Sequence, residues 1–271
     1  MRFKALALDL DGTLLTSRED VSERNLAALA AARASGLQLI LASARWFQLA
    51  ERVARRVEAA PPVIACSGAQ VRRLDDHRDL LDLRLPAEFA AAVFAICDAS
   101  RCIATFGLDE TVAIKVDNAP ATSLAPAEMH FVSSLARTVR EQPRIGLIQG
   151  SETCRLIREQ LAPAWSDRVH FITSMSSHGK PILTLTAMGA HKGVALQVAC
   201  ADLGIETADV VAFGDSDNDI EMFRVAGASV AMGQADDAVK AAATYVSAPH
   251  DKDGVALAIE RLLAEGDLAA G

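Results

Sequence analysis

Residues Lys4–Leu15 read KALALDLDGTLL, an apolar run with strand character that ends by placing Asp9 and Asp11 one residue apart. A near-continuous apolar strand is the mark of a parallel sheet covered on both faces. An unpaired buried carboxylate is expensive, so two of them at the end of such a strand demand compensating charge. Residues two apart on a strand point to the same side. Gly12 lets the chain turn at once, so both carboxylates reach one crevice.

Outward from this strand, short apolar runs alternate with Ala-rich segments of helical period. A helix is expected over Ser22–Ala34, with Gly36 suited to close it, then a strand in LQLILAS, a helix from Trp46 to about Ala59, and a strand in PPVIACSG. The last third resumes the rhythm. It has a helix over Lys192–Leu203 closed by Gly204, then DVVAFGD, a helix through IEMFRVAG, ASVAMG, a short helix near Asp236, TYVSA and a final helix from Asp253. From about Leu85 to Ala187 the style changes to runs such as CIATF, TVAIKV, RIGLIQG, RVHFI and ILTLTA with few helices. The expectation is an α/β chain in which a doubly wound parallel core, 1–84 and 188–271, is interrupted by an inserted α+β domain, 85–187.

The 271 residues are 51% hydrophobic and carry a net charge of −8. That composition suits a globular chain with a large core and argues against a nucleic-acid partner, whose phosphates call for excess Lys and Arg. The five cysteines, Cys66, Cys97, Cys102, Cys154 and Cys200, form no C-x-x-C pair and read as reduced thiols of a cytoplasmic protein. Asp9 and Asp11 interrupt the first apolar stretch too early for a signal peptide. No apolar run reaches membrane-spanning length, and FAAAVFAIC at 89–97 reads as a core helix.

Ligands of open α/β sheets gather at the carboxyl ends of the strands. Polar residues stand at such points here: Asp9 and Asp11, Ser43 and Arg45 after LQLIL, Lys192 opening a helix, and GDSDND after DVVAF. Two other motif readings fail. DSDND matches the opening of an EF-hand loop, but Ile220 replaces the required Gly and Ala226 the closing Glu. Ser177-x-x-Lys180 with Ser216-Asp217-Asn218 evokes a serine acyl-enzyme, yet Ser177 leads into Gly179 and Pro181 rather than a helix, and no K-T-G follows. No Walker loop or G-x-G-x-x-G is present.

Taken in order, DLDGTLL, LASAR, HKG and GDSDNDIEM resemble the four motifs of the haloacid dehalogenase superfamily of aspartyl-phosphate phosphatases. The insertion and the form G-D-S-x-N-D resemble its Cof-like subfamily, which has a Rossmann-like core and a large α/β cap. The resemblance implies that Asp9 is the nucleophile and Asp11 the general acid and then base. It implies Mg²⁺ as cofactor, held by the Asp9 side chain, the Asp11 carbonyl and Asp215, with Asp219 steadying the set. Ser43, Lys192 and Asn218 are then phosphate-binding residues, and Arg45, Ser67 and Gly68 candidate substrate contacts. Asp217 reads as a solvated loop residue or a helix cap.

Some positions depart from the family pattern. Ser43-Ala44-Arg45 stands where T-G-R is usual, losing glycine's freedom at positive φ; Ser67-Gly68-Ala69 stands for N-G-A; and His250 in HDKDGVA stands for Asn, with a satisfied surface histidine as the simpler reading. Cys66 reads as a small buried hydrophobe. Within the insertion, Lys115–Asn118 and Ser174–Lys180 are the polar candidates, and aromatic side chains for nucleobase stacking are few.

The function this implies is a Mg²⁺-dependent phosphatase of a small phosphorylated metabolite, a sugar phosphate or similar phosphomonoester. The rivals are a phosphotransferase such as a phosphomannomutase, and a non-catalytic binder of a phosphorylated ligand. Asp9, Asp11, Lys192 and Asp215, whose loss would favour the binder, are all present.

Overall fold

The computed structural model describes residues 2–60, 62–116, 126–175 and 181–268. The chain runs β1 (Ala5–Leu8), α1 (Glu23–Ala34), β2 (Gln38–Leu41), α2 (Phe47–Arg56), β3 (Val63–Ala65), β4 (Gln70–Arg72), β5 (Asp79–Asp82), α3 (Ala87–Ala99), β6 (Ile103–Gly107), β7 (Val112–Val116) and β8 (Met129–Phe131). It continues through α4 (Leu135–Thr138), β9 (Ile145–Gln149), α5 (Ser151–Trp165), β10 (Val169–Met175), β11 (Pro181–Ala187), α6 (Lys192–Leu203), β12 (Val210–Gly214), α7 (Ile220–Val225), β13 (Ala228–Ala231), α8 (Asp237–Ala242), β14 (Tyr245–Val246) and α9 (Gly254–Glu265). Two compact units result, Met1–Leu81 with His191–Gly271, and Asp82–Ala190.

The first unit is built on a parallel sheet in the order β14-β13-β12-β1-β2. A bridge between Ala42 and Ile64 and the Ser43 N–H bond to the Ile64 carbonyl, 2.9 Å, carry the order on to β3. The chain therefore winds one way from β1 through β2 to β3 and the other way from β12 to β14. The direction reverses between β1 and β12, where a doubly wound sheet opens its ligand crevice. Both strands are wholly buried, as their unbroken apolar sequences require.

Helix ends follow local chemistry. Ser22 caps α1 by accepting from the Asn25 N–H, and Gly36 follows its C-terminus at φ +90°. Trp46 becomes the N-cap of α2, and the helix stops at Arg56 rather than Ala59 because Glu58 turns to φ +51°. The hairpin β4–β5, joined to β3, goes beyond the strands the sequence announces. Its short segments QVR and DLLD are too charged to read as strands.

The second unit is a sheet ordered β10-β11-β9-β6-β7-β8, antiparallel throughout except between β7 and β8. Phe89, Val93, Phe94 and Cys97 of α3 and Ile157 of α5 bury against Ala104, Phe106, Ile148, Leu183 and Leu185 of the sheet. The Phe94 and Phe106 rings meet edge to face with centroids 4.8 Å apart. Arg144, 2% exposed, is compensated by Asp82 (Nε to Oδ1, 2.7 Å) and by the Leu108 carbonyl. These contacts draw the unit's edge to Asp82 where the sequence suggests 85, and its end is Ala190 where the sequence suggests 187. Among the described residues no helix is long and apolar enough to cross a membrane.

One buried side chain ties the loop after β1 to the final helix. Asn25, fully buried, accepts from the Ala256 N–H at 2.9 Å and donates to the Leu14 carbonyl at 3.4 Å. Asn25→Leu keeps the volume but strands both backbone groups, and should lower stability by about 2 kcal/mol. Urea unfolding checks this, and an unchanged midpoint would contradict it.

Candidate active site

Asp9 leaves β1 with its N–H bonded to the Phe213 carbonyl at 3.0 Å and its side chain 6% exposed. Lys192, the first residue of α6, is fully buried and places Nζ 2.5 Å from Asp9 Oδ1 and 2.7 Å from Asp219 Oδ1. The other Asp219 oxygen accepts from the N–H groups of Asp215 at 3.0 Å and Ser216 at 3.1 Å. Asp219 thus spends both oxygens on orienting its neighbours, through a capping box in which Ser216 is the N-cap. Thr13 Oγ1 donates to Asp215 Oδ1 at 3.3 Å.

One oxygen each from Asp9, Asp215 and Asp219 lie within 4.8 Å of one another. Three carboxylates face a single ammonium, so the cluster retains excess negative charge. Burial first, then Asp219 and Asp215, raise the Asp9 carboxyl well above its ordinary value against the pull of Lys192. Asp215 is pushed up to about 6 by burial and then by Asp219, with Lys192 and Thr13 opposing. Burial would lower the Lys192 ammonium, but Asp219 and Asp9 overcome it and raise it. A set of hard oxygen donors with surplus negative charge fits a divalent cation of the Mg²⁺ type.

The turn after Asp11 is held close against Asp215. Gly12 has φ +78°, and a Cβ there would overlap Asp215 Oδ2. The Asp11 side chain points elsewhere: Arg45 grips it with Nε to Oδ2 at 2.8 Å and Nη2 to Oδ1 at 2.5 Å. Glu19 stands 3.7 Å from the same guanidinium. Ser43, fully buried, accepts the Arg45 N–H on Oγ at 3.0 Å, and a hydroxyl that accepts still has its proton to donate.

The loop after β3 is joined to that of Ser43 by the Ser67 N–H to the Ser43 carbonyl, 3.0 Å, and the Cys66 N–H to the Arg45 carbonyl, 2.8 Å. Cys66, Ser67 and Gly68 take φ of 52°, 56° and 92° in succession. A Cβ on Gly68 would overlap the His191 carbonyl, so that glycine lets the loop reach the start of α6.

The structure therefore gathers Asp9, Lys192, Asp215 and Asp219 into one cluster, and Ser43, Arg45, Ser67 and Gly68 into two linked loops. Asn218 Oδ1 accepts from Ser216 Oγ at 3.0 Å, and Asp217 is exposed. Ala44 stays outside the left-handed region, so its replacement of glycine brings no backbone strain. Cys66 is 1% exposed, and all five cysteines are free thiols.

The surface reading of His250 is corrected. Its side chain is only 17% exposed, Nε2 lies 3.3 Å from Ser17 Oγ, and Nδ1 is buried with no partner among the described residues. In the second unit, Lys115 is buried and donates to the Ser100 carbonyl at 3.0 Å. The candidates from 117 to 118 and from 176 to 180 lie outside the described residues.

Sequence reasoning passed over Gln234. Its amide donates to the Gly12 carbonyl at 2.6 Å and accepts the His250 N–H at 3.0 Å. It follows β13, a strand end like the ones that drew attention elsewhere, and that position was the available signal.

The sequence model of a family described as haloacid dehalogenase-like hydrolase matches residues 6–259. The chain is 28% identical to the pyridoxal phosphate phosphatase YbhA of Escherichia coli, over 94% of this chain and 97% of that protein. It is 27% identical to the 5-amino-6-(5-phospho-D-ribitylamino)uracil phosphatase YitU of Bacillus subtilis, over 93% and 94%. It spans only 46% of another match, the chloroplastic endoribonuclease YBEY of Arabidopsis thaliana, at 26% identity over 96% of this chain. Among solved structures, a haloacid dehalogenase-like hydrolase from Bacteroides thetaiotaomicron superposes with a TM-score of 0.82 at 25% identity, covering 96% of this chain and 99% of that one.

Two predictions follow from the geometry. Gly12→Ala forces Asp215 aside and should weaken divalent-cation affinity by about tenfold or more, read by calorimetric titration; an unchanged affinity would remove the close approach from the argument. The second concerns pH. A carboxyl raised on folding stabilises the fold in full below its ordinary value of 3.8, and that contribution is lost as pH rises to about 6, the Asp215 value. Near pH 7 the metal-free cluster is then in its least favourable charge state. The gain in Tm from Mg²⁺ over chelator should be largest near pH 7 and shrink below about pH 6, as protons compete for the same oxygens. Melting curves showing an equal or larger gain at about pH 5 would contradict this.

Proposed function

The chain belongs to the haloacid dehalogenase-like hydrolases and is a phosphatase, and we propose that it hydrolyses a small phosphomonoester with Mg²⁺ through an aspartyl-phosphate on Asp9. The observation that carries this is the Asp9 carboxylate at the mouth of β1, 2.5 Å from a buried Lys192 and grouped with Asp215 and Asp219.

Lys192 favours the charged, nucleophilic form of Asp9, opposing the burial and the neighbouring carboxylates that raise its carboxyl in the metal-free cluster. Its oxygen forms a bond to phosphorus as the bond to the leaving oxygen breaks, and Asp11 gives that oxygen a proton. In the second step water attacks the phosphoryl group, Asp11 takes its proton, and the bond from Asp9 to phosphorus breaks to release phosphate. Asp11 must leave Arg45 to do this, and an incoming phosphoryl dianion offers the guanidinium a matching bidentate partner.

The Asp9 and Asp215 side chains with the Asp11 carbonyl would hold Mg²⁺, and Asp219 would orient them. Bound there, the cation would supply charge neutralisation of the phosphoryl oxygens. The Ser43 hydroxyl, Lys192 and Asn218 are assigned to those oxygens as donors.

Selection of the leaving group is assigned to the Asp82–Ala190 unit, read as a cap, with Arg45, Ser67 and Gly68 as contacts from the core. The relatives' names specify pyridoxal phosphate and a 5-phospho-D-ribitylamino compound, which supports a small phosphorylated metabolite of that kind or a sugar phosphate. Five free thiols suit a reducing compartment, and so a cytoplasmic enzyme. A net charge of −8 supports a small-molecule partner over nucleic acid.

The test is phosphate release from a panel of phosphomonoesters with Mg²⁺ and with chelator. Asp9→Asn should lose about a thousandfold or more in kcat while remaining folded. A folded Asp9→Asn protein with wild-type turnover would sink the nucleophile assignment. An isomeric sugar phosphate as product, instead of free phosphate, would move the chain to the phosphotransferases.

A further inference from the structure

Three loops of the core unit meet at one exposed side chain. The turn bearing Gln234 is fixed by its backbone: the Met232 N–H bonds the Gly214 carbonyl at 3.0 Å and the Gly233 N–H bonds that of Ala248 at 3.2 Å. A Cβ on Gly233 would stand 2.8 Å from the Ser247 carbonyl oxygen and 2.9 Å from the Pro249 nitrogen, so the turn is pressed against the segment after β14. Met232 and Ala235 on either side of it are buried. The Gln234 side chain therefore leaves from a rigid base.

Its amide orientation is decided by its partners. The Gly12 carbonyl can only accept, and it takes Nε2–H at 2.6 Å; the His250 N–H can only donate, and it gives to Oε1 at 3.0 Å. His250 is itself braced, since Ser17 Oγ lies 3.3 Å from its Nε2 and the Ser17 N–H bonds Asp251 at 2.8 Å.

We propose that Gln234 is a positioning residue for the cation site, its amide fixing the turn after Asp11 against Asp215. Gly12 has no slack toward Asp215, because the space where a Cβ would sit is filled by that carboxylate. Any drift of the Gly12 carbonyl therefore changes the separation of the Asp11 carbonyl from Asp215, two of the groups that would hold the cation. Partners that hold metal ligands in place commonly govern affinity without touching the metal. The inference rests on the divalent-cation reading of this cluster. Because Gln234 is exposed, its loss removes little packing, so positioning can be separated from folding.

The test is calorimetric titration of Mg²⁺ into the full chain as wild type, Gln234→Met and Asp215→Asn, with the Tm of each measured in chelator. Methionine keeps the length of glutamine and removes both amide functions. Gln234→Met should bind Mg²⁺ about tenfold more weakly with a metal-free Tm close to wild type. Wild-type affinity in Gln234→Met, while Asp215→Asn abolishes binding, would overturn the positioning role alone. A weaker affinity accompanied by a large fall in metal-free Tm would overturn it in favour of general loosening. Failure of the wild type to bind Mg²⁺ would overturn the cation reading and this inference together.

Discussion

The rest of the core unit depends on one buried ammonium. Lys192 is fully enclosed, and its Nζ touches both Asp9 and Asp219. Taking such charges from water costs several kcal/mol each, which is recovered only with close geometry and further hydrogen bonds. The surrounding structure supplies both. Asp219 receives two backbone N–H groups on its free oxygen, and Asp9 is anchored by its own backbone to β12. The ammonium balances only one of the three carboxylates, so the site is arranged to take up more positive charge.

That arrangement explains why the strand order matters. Asp9 ends β1, Asp215 follows β12, and these two strands are neighbours at the point where the winding reverses. Lys192 comes from the first residue of a helix whose start is fitted against Gly68. Loops that could drift are tied to each other: Ser67 to Ser43, Cys66 to Arg45, Gln234 to Gly12. A site on loops becomes rigid when each loop bonds another, and precision of this kind is what phosphoryl chemistry needs.

The parallel core was legible from residue order because buried strands are written as apolar runs, and ALAL and VVAFG are such runs. The insertion was legible because its strand-like runs are interleaved with few helices, and an apolar helix carries Phe89, Val93, Phe94 and Cys97 at helical spacing. The positions of Asp9, Lys192 and Asp215 follow from strand ends and a helix start. What stayed hidden depends on side chains meeting across loops. The grip of Arg45 on Asp11, the amide of Gln234 and the covered ring of His250 are separated in sequence from their partners, and no local pattern reports them. The early stop of α2 depended on Glu58 adopting positive φ, which glutamate does not advertise.

The central claim is that the Asp9 carboxylate, held against Lys192, carries the phosphoryl group between substrate and water. The most direct measurement is mass spectrometry of protein quenched in acid during steady turnover of the best substrate from the panel. The account predicts one phosphoryl group on the peptide containing Asp9, removed by hydroxylamine as an acyl phosphate is. Phosphate carried instead on a serine peptide and resistant to hydroxylamine would contradict it.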